Sequence, residues 1–384
     1  MSEAVIFDLG DDENPDDAYA KAPDFEERAK RGGRHAQIAA VVKGKYRSTP
    51  RERAGEWFRR MRMIEVPTGT WAQARDCFDQ IVAGLGEEDE GKAFALDGQT
   101  GAGKTHILRR LSRHKNLEQF ETEEGPIRPL LTVEIPAACD LRKLGVRMLR
   151  RLGVGVALAE DAGEGESKIT KGLRLDAEDI WDVVRTQLQA QGVMVVIIDE
   201  INNVFSNNKS HERTQIAMKF KEMLVDKEWP VSIVIAGVKA GKFVEEYPEL
   251  RRRTPVIEVR RLDSKRREHM AVLLRNFEKR LGFSEKLNLH LHDYPERMIH
   301  ATDGEVGRVA DLFKLAGVNA WMNGRSMTVL DLAGAAEAIG LCDAKSNPFL
   351  VTDLSRLKPK KKSLADYDRT LLRGNQRPSV EDAA

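Results

Sequence analysis

Cysteine is scarce in this chain. Cys77, Cys139 and Cys342 lie far apart and form no C-x-x-C pair, which argues against a disulfide framework or a cysteine zinc site and fits a reducing compartment. Long apolar runs are also missing. The longest, VMVVII at 193–198, falls far short of the roughly 20 residues that a membrane helix needs. The opening residues, MSEAVIFDLGDDENPDD, show no basic start followed by an apolar stretch and do not read as a secretory signal. A cytoplasmic protein with no membrane partner is expected. Charge of one sign is not in excess: 62 Lys and Arg stand against 61 Asp and Glu, a net charge of +1. No global positive field recruits nucleic acid, so any such binding has to come from local patches. The eight histidines form no metal pattern, because His290 and His292 alternate without further clustered ligands. No internal repeat stands out.

What is present fits a folded protein. Hydrophobic residues make up 41% and charged residues 32% of 384, enough for two or three domains at about 100 to 200 residues each. Residues 1–56 read as a mobile charged arm: Asp8, Asp11, Asp12, Glu13, Asp16 and Asp17 come first, then basic residues from Arg28 to Arg53. Such an arm is either a solvated leader or a basic segment that touches nucleic acid or a partner. From Trp57 the pattern becomes regular, and residues 70–85 space Trp71, Ala74, Phe78, Ile81, Val82 and Leu85 along one helical face. From Ala93, short apolar runs (AFALD, LLTVEI, VMVVIID, VSIVIAG) alternate with helical patterns, with VIEVRRL at 256–262 available as a fifth strand. That alternation predicts a parallel α/β sheet over 57–262. After Asp263 only helical patterns occur, broken at Gly282, Gly304 and Gly324, so 263–342 is expected to be a small helical domain. Residues 343–384 read as a disordered basic tail with Lys358, Lys360, Lys361 and Lys362, in which Phe349, Leu350, Tyr367, Leu371 and Leu372 are possible partner anchors.

Gly98-Gln99-Thr100-Gly101-Ala102-Gly103-Lys104-Thr105 matches G-x-x-x-x-G-K-[ST] between an apolar strand pattern and a helical one. Glycines there let successive backbone N–H groups face phosphate oxygens, and the following helix adds its positive end. Lys104 is predicted to reach the β- and γ-phosphates and Thr105 to ligate magnesium. Asp199 and Glu200 end the VMVVIID strand. Asp199 suits magnesium, and Glu200 suits polarising the water that attacks the γ-phosphate. No N-K-x-D guanine signature and no protein-kinase motif occurs, so ATP with Mg2+ is the expected nucleotide.

RMIEVPTGTW, GQTGAGKTHIL, RPLLTVEIPAACDLRKL, VVIIDEINNVF, VSIVIAGV and ELRRRTPVIEVRRL follow one another between about Arg62 and Gly340. In this order they resemble the AAA+ ATPases of transposition, the TniB and TnsC group, relatives of the MuB target-selection protein. The resemblance implies a P-loop AAA+ parallel sheet flanked by helices, followed by a helical lid, with disordered termini. It implies ATPase activity, and an arginine finger, Arg252 or Arg253, that completes a neighbour's site; which of Arg251, Arg252 and Arg253 points inward stays open here. It implies a second sensor arginine at Arg308 within Gly304-Glu305-Val306-Gly307-Arg308. Relatives place a polar sensor at the end of the VSIVIAGV strand, where this chain has Gly237 and Val238. That departure puts γ-phosphate sensing from this strand in doubt unless Asn202 or Asn203 substitutes.

By the same resemblance, subunits assemble as a ring or helical filament on double-stranded DNA, touching its backbone without base readout. They then recruit a transposase and work with a target-selection adaptor. In LRKLGVRMLRR, Lys143, Arg147 and Arg150 form a basic stripe at helical spacing with Arg142 beside it. The stripe is either a DNA contact or a solvated helix face. Two other classes fit the nucleotide motifs. One is a nucleotide-gated signalling or scaffold protein with little turnover. The other is a replication initiator or helicase loader, disfavoured because no helix-turn-helix or winged-helix pattern follows Gly340.

Overall fold

A computed structural model of the chain describes Ile38 and residues 49–64, 66, 68–123, 125–154, 176–207 and 210–357. The charged runs from Asp8 to Arg47, the lysines from Lys358 to Lys362, and Tyr367, Leu371 and Leu372 lie outside the described residues. In chain order the elements begin with α1 (Thr49–Met63), α2 (Gly69–Ala83), β1 (Ala93–Gly98), α3 (Lys104–Leu111), β2 (Phe120–Thr122), β3 (Gly125–Ile127), β4 (Leu130–Glu134) and α4 (Leu141–Arg151). They continue with α5 (Ala177–Ala190), β5 (Val195–Asp199), α6 (Ser210–Leu224), β6 (Ser232–Gly237), α7 (Ala240–Glu246), α8 (Pro248–Arg251) and β7 (Val256–Val259). Last come α9 (Arg267–Leu281), α10 (Tyr294–Thr302), α11 (Val306–Met322) and α12 (Val329–Ala338).

The described residues divide into two units: those of Thr68–Gln99 and Lys104–Val259 belong to the first, and α1, Thr100–Gly103 and residues 260–357 to the second. The first unit is a five-stranded sheet in the order β4-β5-β6-β1-β7, and every pairing is parallel. The fifth strand expected from VIEVRRL is β7, paired with β1 from Ala95↔Val256 to Gly98↔Val259. All five residues of β5 are buried, as a central parallel strand covered on both faces requires. Registers Glu134↔Asp199, Asp97↔Gly237 and Gly98↔Val259 bring the carboxyl ends of the strands to one edge, where ligands of open α/β sheets bind.

Helices hold that edge in place through caps and buried faces. The Thr68 hydroxyl accepts the Trp71 N–H at 3.1 Å, and α2 buries Trp71, Ala74, Phe78 and Ile81. Asp140 caps α4 by accepting the Lys143 N–H at 2.7 Å, and Asp176 and Asp179 form a capping box on α5. Fully buried Phe220 and Phe243 lie 6.0 Å apart, edge to face, in the unit's core. Each such ring contributes about 1.5–3 kcal/mol by leaving water. The two-stranded antiparallel β2–β3 pair was not expected, because each strand is three residues long and β2 is wholly exposed.

The second unit is helical. Trp57 of α1 is fully buried, donates its indole N–H to the Lys314 carbonyl of α11 at 2.7 Å, and packs 5.3 Å from Phe283 and 5.6 Å from Trp321. Phe277 of α9 stacks on Phe313 of α11 at 5.1 Å. Within the stretch expected to form the tail, Phe349 and Asn347 are buried. Arg297 of α10 donates to the carbonyls of Pro348 and Val351 at 2.6 and 2.7 Å. No helix of the described residues is long and apolar enough to cross a membrane.

Candidate nucleotide site

β1 ends at Gly98 on the carboxyl edge of the sheet, and α3 starts at Lys104. The loop between them turns through Gly101 at φ +80° and Gly103 at φ +103°, backbone values that glycine takes without steric cost. Gln99 and Gly103 are half-buried, Thr100 and Gly101 exposed, and Ala102 buried. The Lys104 ammonium is tucked against the start of this loop, donating to the Gly98 carbonyl at 2.7 Å and the Gln99 carbonyl at 3.0 Å. Burial pulls its pKa below the ordinary lysine value, against the opposing fields of Glu200, Asp199 and Asp97. Asp97 was not singled out from the sequence; its place at the end of β1 beside the loop was the available signal.

The acidic pair sits on the neighbouring part of the same edge. The Thr105 hydroxyl donates to Asp199 Oδ2 at 3.2 Å, while Asp199 Oδ1 accepts the Glu200 N–H at 2.9 Å. Burial raises the Asp199 carboxyl above its usual range, the Glu200 N–H pulls the other way, and the Glu200 charge raises it further. Burial thus disfavours the charged form of both Lys104 and Asp199, and the field of each partly offsets this in the other. Glu200 lies at φ +64°, a left-handed backbone that costs a non-glycine residue of order 1 kcal/mol or more and that clusters at functional sites. Its Oε2 accepts from Asn202 Nδ2 at 3.0 Å, and Asn202 Oδ1 accepts the Val238 N–H at 3.2 Å. Of the two asparagines that could stand in for the polar sensor, Asn202 is the one bonded to the end of β6. Asn203 instead donates to the Ile135 carbonyl after β4 at 2.8 Å.

The other predicted residues are placed as follows. Arg251 and Arg252 are exposed at the end of α8. Arg253 is half-buried and ion-paired with Glu90 of the same unit. In the second unit, Arg308 pairs with Glu305 Oε2 at 2.8 Å, and Arg261 also pairs with Glu305. On α4, Lys143 and Arg150 are exposed, and Arg142 and Arg147 are half-buried. Lys143 donates to the Ala138 carbonyl and Arg147 to the Glu134 carbonyl, each at 3.3 Å. Two members of the stripe thus bond backbone at the end of β4 and after it.

The sheet order, the glycine-bent loop entering a helix at lysine, and the partly buried threonine–aspartate contact define a P-loop protein of the AAA+ class, with a parallel sheet flanked by helices and a helical second part. A family model described as "Bacterial TniB protein" matches residues 60–263, more than half of the chain, and the chain belongs to that family. No curated protein matches it. Among solved structures it is similar to the ORC2 protein of Aeropyrum pernix in its ADP form, at 14% identity over 80% of this chain and 87% of that one, TM-score 0.45. It is also similar to the Aeropyrum pernix ORC1 protein in complex with DNA, at 18% identity over 71% of this chain and 66% of that one, TM-score 0.45. Drosophila ORC bound to DNA aligns at 15% identity over 79% of this chain and 68% of that chain, TM-score 0.46.

Proposed function

We propose that this protein is an ATP-dependent, DNA-binding regulator of transposition. ATP orders its subunits as a ring or filament on double-stranded DNA, the assembly marks the target and recruits the transposase, and hydrolysis dismantles it. The observation that carries this reading is the set Lys104, Thr105, Asp199 and Glu200 at one edge of the sheet, in a chain of the TniB family. Lys104, held against the loop carbonyls, is the cation for the β- and γ-phosphates, with residues 98–105 supplying backbone N–H groups. Thr105 Oγ1 and Asp199 Oδ2 are hard oxygen donors 3.2 Å apart, which suits magnesium. Bound there, magnesium would neutralise charge on the phosphate oxygens.

In the reaction, the water oxygen attacks the γ-phosphorus while Glu200 takes its proton. The bridging P–O bond to the β-phosphate breaks, and ADP leaves with phosphate. Arg252 is the better finger of the predicted pair, because it is exposed at the end of α8 whereas Arg253 is held by Glu90. Arg308 is kept as a second phosphate contact, and Arg142, Lys143, Arg147 and Arg150 as contacts to the DNA backbone. ATP acts here as a ligand selecting the assembled state, since it can be gripped by Lys104 and a neighbour's arginine together.

The test is negative-stain microscopy of the purified protein with a non-hydrolysable ATP analogue, with and without duplex DNA, alongside steady-state phosphate release. Rings or filaments that need both ligands, with DNA-stimulated turnover, are expected. Monomers in every condition, with no turnover, overturn the reading in favour of a nucleotide-held switch.

A further inference from the structure

We infer that Asn202 is a positioning residue for hydrolysis, one that fixes the Glu200 carboxylate to the end of β6 in place of a side chain from β6 itself. The inference rests on Glu200 acting as the base. Glu200 leaves β5 at φ +64°, so its backbone does not continue the strand, and its carboxylate needs a separate partner to hold one orientation. Asn202 is that partner: Nδ2 donates to Glu200 Oε2 at 3.0 Å, and Oδ1 accepts the Val238 N–H at 3.2 Å. The amide orientation follows from chemistry. Turned over, its oxygen would face the carboxylate and its NH2 the backbone N–H, two repulsive contacts. An aspartate could keep the Val238 bond but would set a second carboxylate against Glu200.

Gly237 reports the same arrangement from the other strand. A Cβ there would lie 2.8 Å from both Ile201 Cγ2 and Ile201 N, and 2.9 Å from Asn202 Oδ1. The space beside the end of β6 is thus filled by the segment after Glu200. The relay extends further, since Asn202 Nδ2 also reaches Asn203 Oδ1 at 3.3 Å and Asn203 donates to the Ile135 carbonyl at 2.8 Å. The ends of β4, β5 and β6 are tied by two side chains. Because Val238 lies two residues ahead of α7, and α8, which ends at Arg251 with Arg252 as its C-cap, follows α7, Asn202 holds the base near the point where the arginine-bearing segment departs.

The experiment measures ATP turnover with the full chain on duplex DNA for wild type, Asn202→Ala, Asn202→Asp, Glu200→Gln and the Asn202→Ala/Glu200→Gln double variant, together with nucleotide affinity and Tm. Removing the partner that orients a metal ligand costs about 10- to 100-fold, and a similar loss is expected for an oriented base. Asn202→Ala is expected to lower kcat by that factor with KM for ATP within about threefold, and Asn202→Asp to be at least as slow. If Asn202 works through Glu200, Asn202→Ala adds less than about twofold to the single-turnover rate of Glu200→Gln. Should Asn202→Ala fail to fold, the isosteric Asn202→Asp alone carries the test, and the same fall in kcat is expected. Wild-type turnover with Asn202→Ala within twofold of it, Asn202→Asp matching wild type, or an undiminished Asn202→Ala effect on Glu200→Gln overturns the inference alone. Absence of turnover in wild type overturns the ATPase reading and the inference with it.

Discussion

The Thr105 hydroxyl donates to Asp199 Oδ2 at 3.2 Å, across 94 residues of sequence. The first residue of the pair lies in the first turn of α3, after the phosphate loop, and the second ends β5. Their contact fixes two oxygen donors beside the buried Lys104. Thr105→Ala removes one donor and leaves the loop backbone intact. Nucleotide affinity with magnesium is expected to fall by about tenfold or more, and affinity in EDTA to stay unchanged, because the lost oxygen serves the metal. Titration with a fluorescent ATP analogue under both conditions checks this. An equal loss in EDTA would show that the hydroxyl supports the loop and not the ion.

Glu200→Gln keeps the size of the side chain and an oxygen able to accept from Asn202, but cannot take a proton from water. General-base catalysis contributes about 10² to 10⁴ in rate, so turnover is expected to fall by that range while ATP binding persists. The assembly on DNA should then outlive that of wild type under excess ATP, as read by sedimentation or light scattering over time. If the variant disassembled as fast as wild type, Glu200 would not be the base.

Arg253 is paired with Glu90 in its own unit, whereas Arg252 is exposed. Arginine fingers contribute about 10³ to 10⁵ in rate. Arg252→Ala is therefore expected to cost most of the DNA-stimulated turnover with nucleotide binding intact. Arg253→Ala breaks a partly exposed ion pair and should change stability by about 1 kcal/mol or less, with a far smaller loss of turnover. Mixing Arg252→Ala with Lys104→Ala subunits separates a finger acting in trans from a local defect: partial recovery of activity is expected, because one variant supplies the nucleotide site and the other the arginine. A larger turnover loss in Arg253→Ala than in Arg252→Ala would reverse the assignment.

Local patterns made much of this molecule legible in the sequence. The parallel strands announced themselves as apolar runs because a central strand such as β5 is buried on both faces. The phosphate loop was legible because glycine spacing and a following helix are one contiguous signal. What escaped depends on residues far apart in the chain. That Asn202, and not Asn203, bonds the β6 end is decided by a contact spanning 36 residues. The restraint of Arg253 by Glu90 comes from a segment ahead of β1. Arg297 binding the carbonyls of Pro348 and Val351 orders a polar, proline-containing stretch whose composition alone reads as tail. The basic stripe of α4 was visible by spacing, but the bonds from Lys143 and Arg147 to backbone carbonyls depend on how the chain turns after β4.

Cys139 is fully buried, and its thiol is pushed up to about 12, by burial first and then by the Asp140 charge. Cys77 and Cys342 are only half-buried, although burial raises the Cys77 thiol as well. The thiolate is the reactive form. A thiol reagent at pH 8 is expected to modify Cys342 and Cys77 in the folded chain, and Cys139 only after denaturant is added. Peptide mass spectrometry over a time course resolves the three sites. Early modification of Cys139 would mean that the turn before α4 opens readily.

Asp331 at the start of α12 accepts from Arg325 Nη1 and Nη2 at 2.6 and 2.7 Å and from the Thr328 N–H at 2.8 Å. The Arg325 hydrogen bond, more than any other influence, lowers its pKa from 3.8 to about 2. A carboxylate with a depressed folded-state pKa stabilises the fold fully above its unfolded value and loses that contribution as pH falls through the folded one. The window here is therefore about pH 4 down to about pH 2. Asp331→Asn keeps an oxygen for the Thr328 N–H but removes the charge facing Arg325 and the positive end of the helix. The variant is expected to melt below wild type at pH 7, and the gap in Tm should close as pH drops through that window. Salt should narrow the gap as well, because Arg325 is exposed to solvent and its attraction is screened. A gap in Tm that is the same at pH 7 and pH 2 would assign the effect to packing around α12 and not to the ion pair.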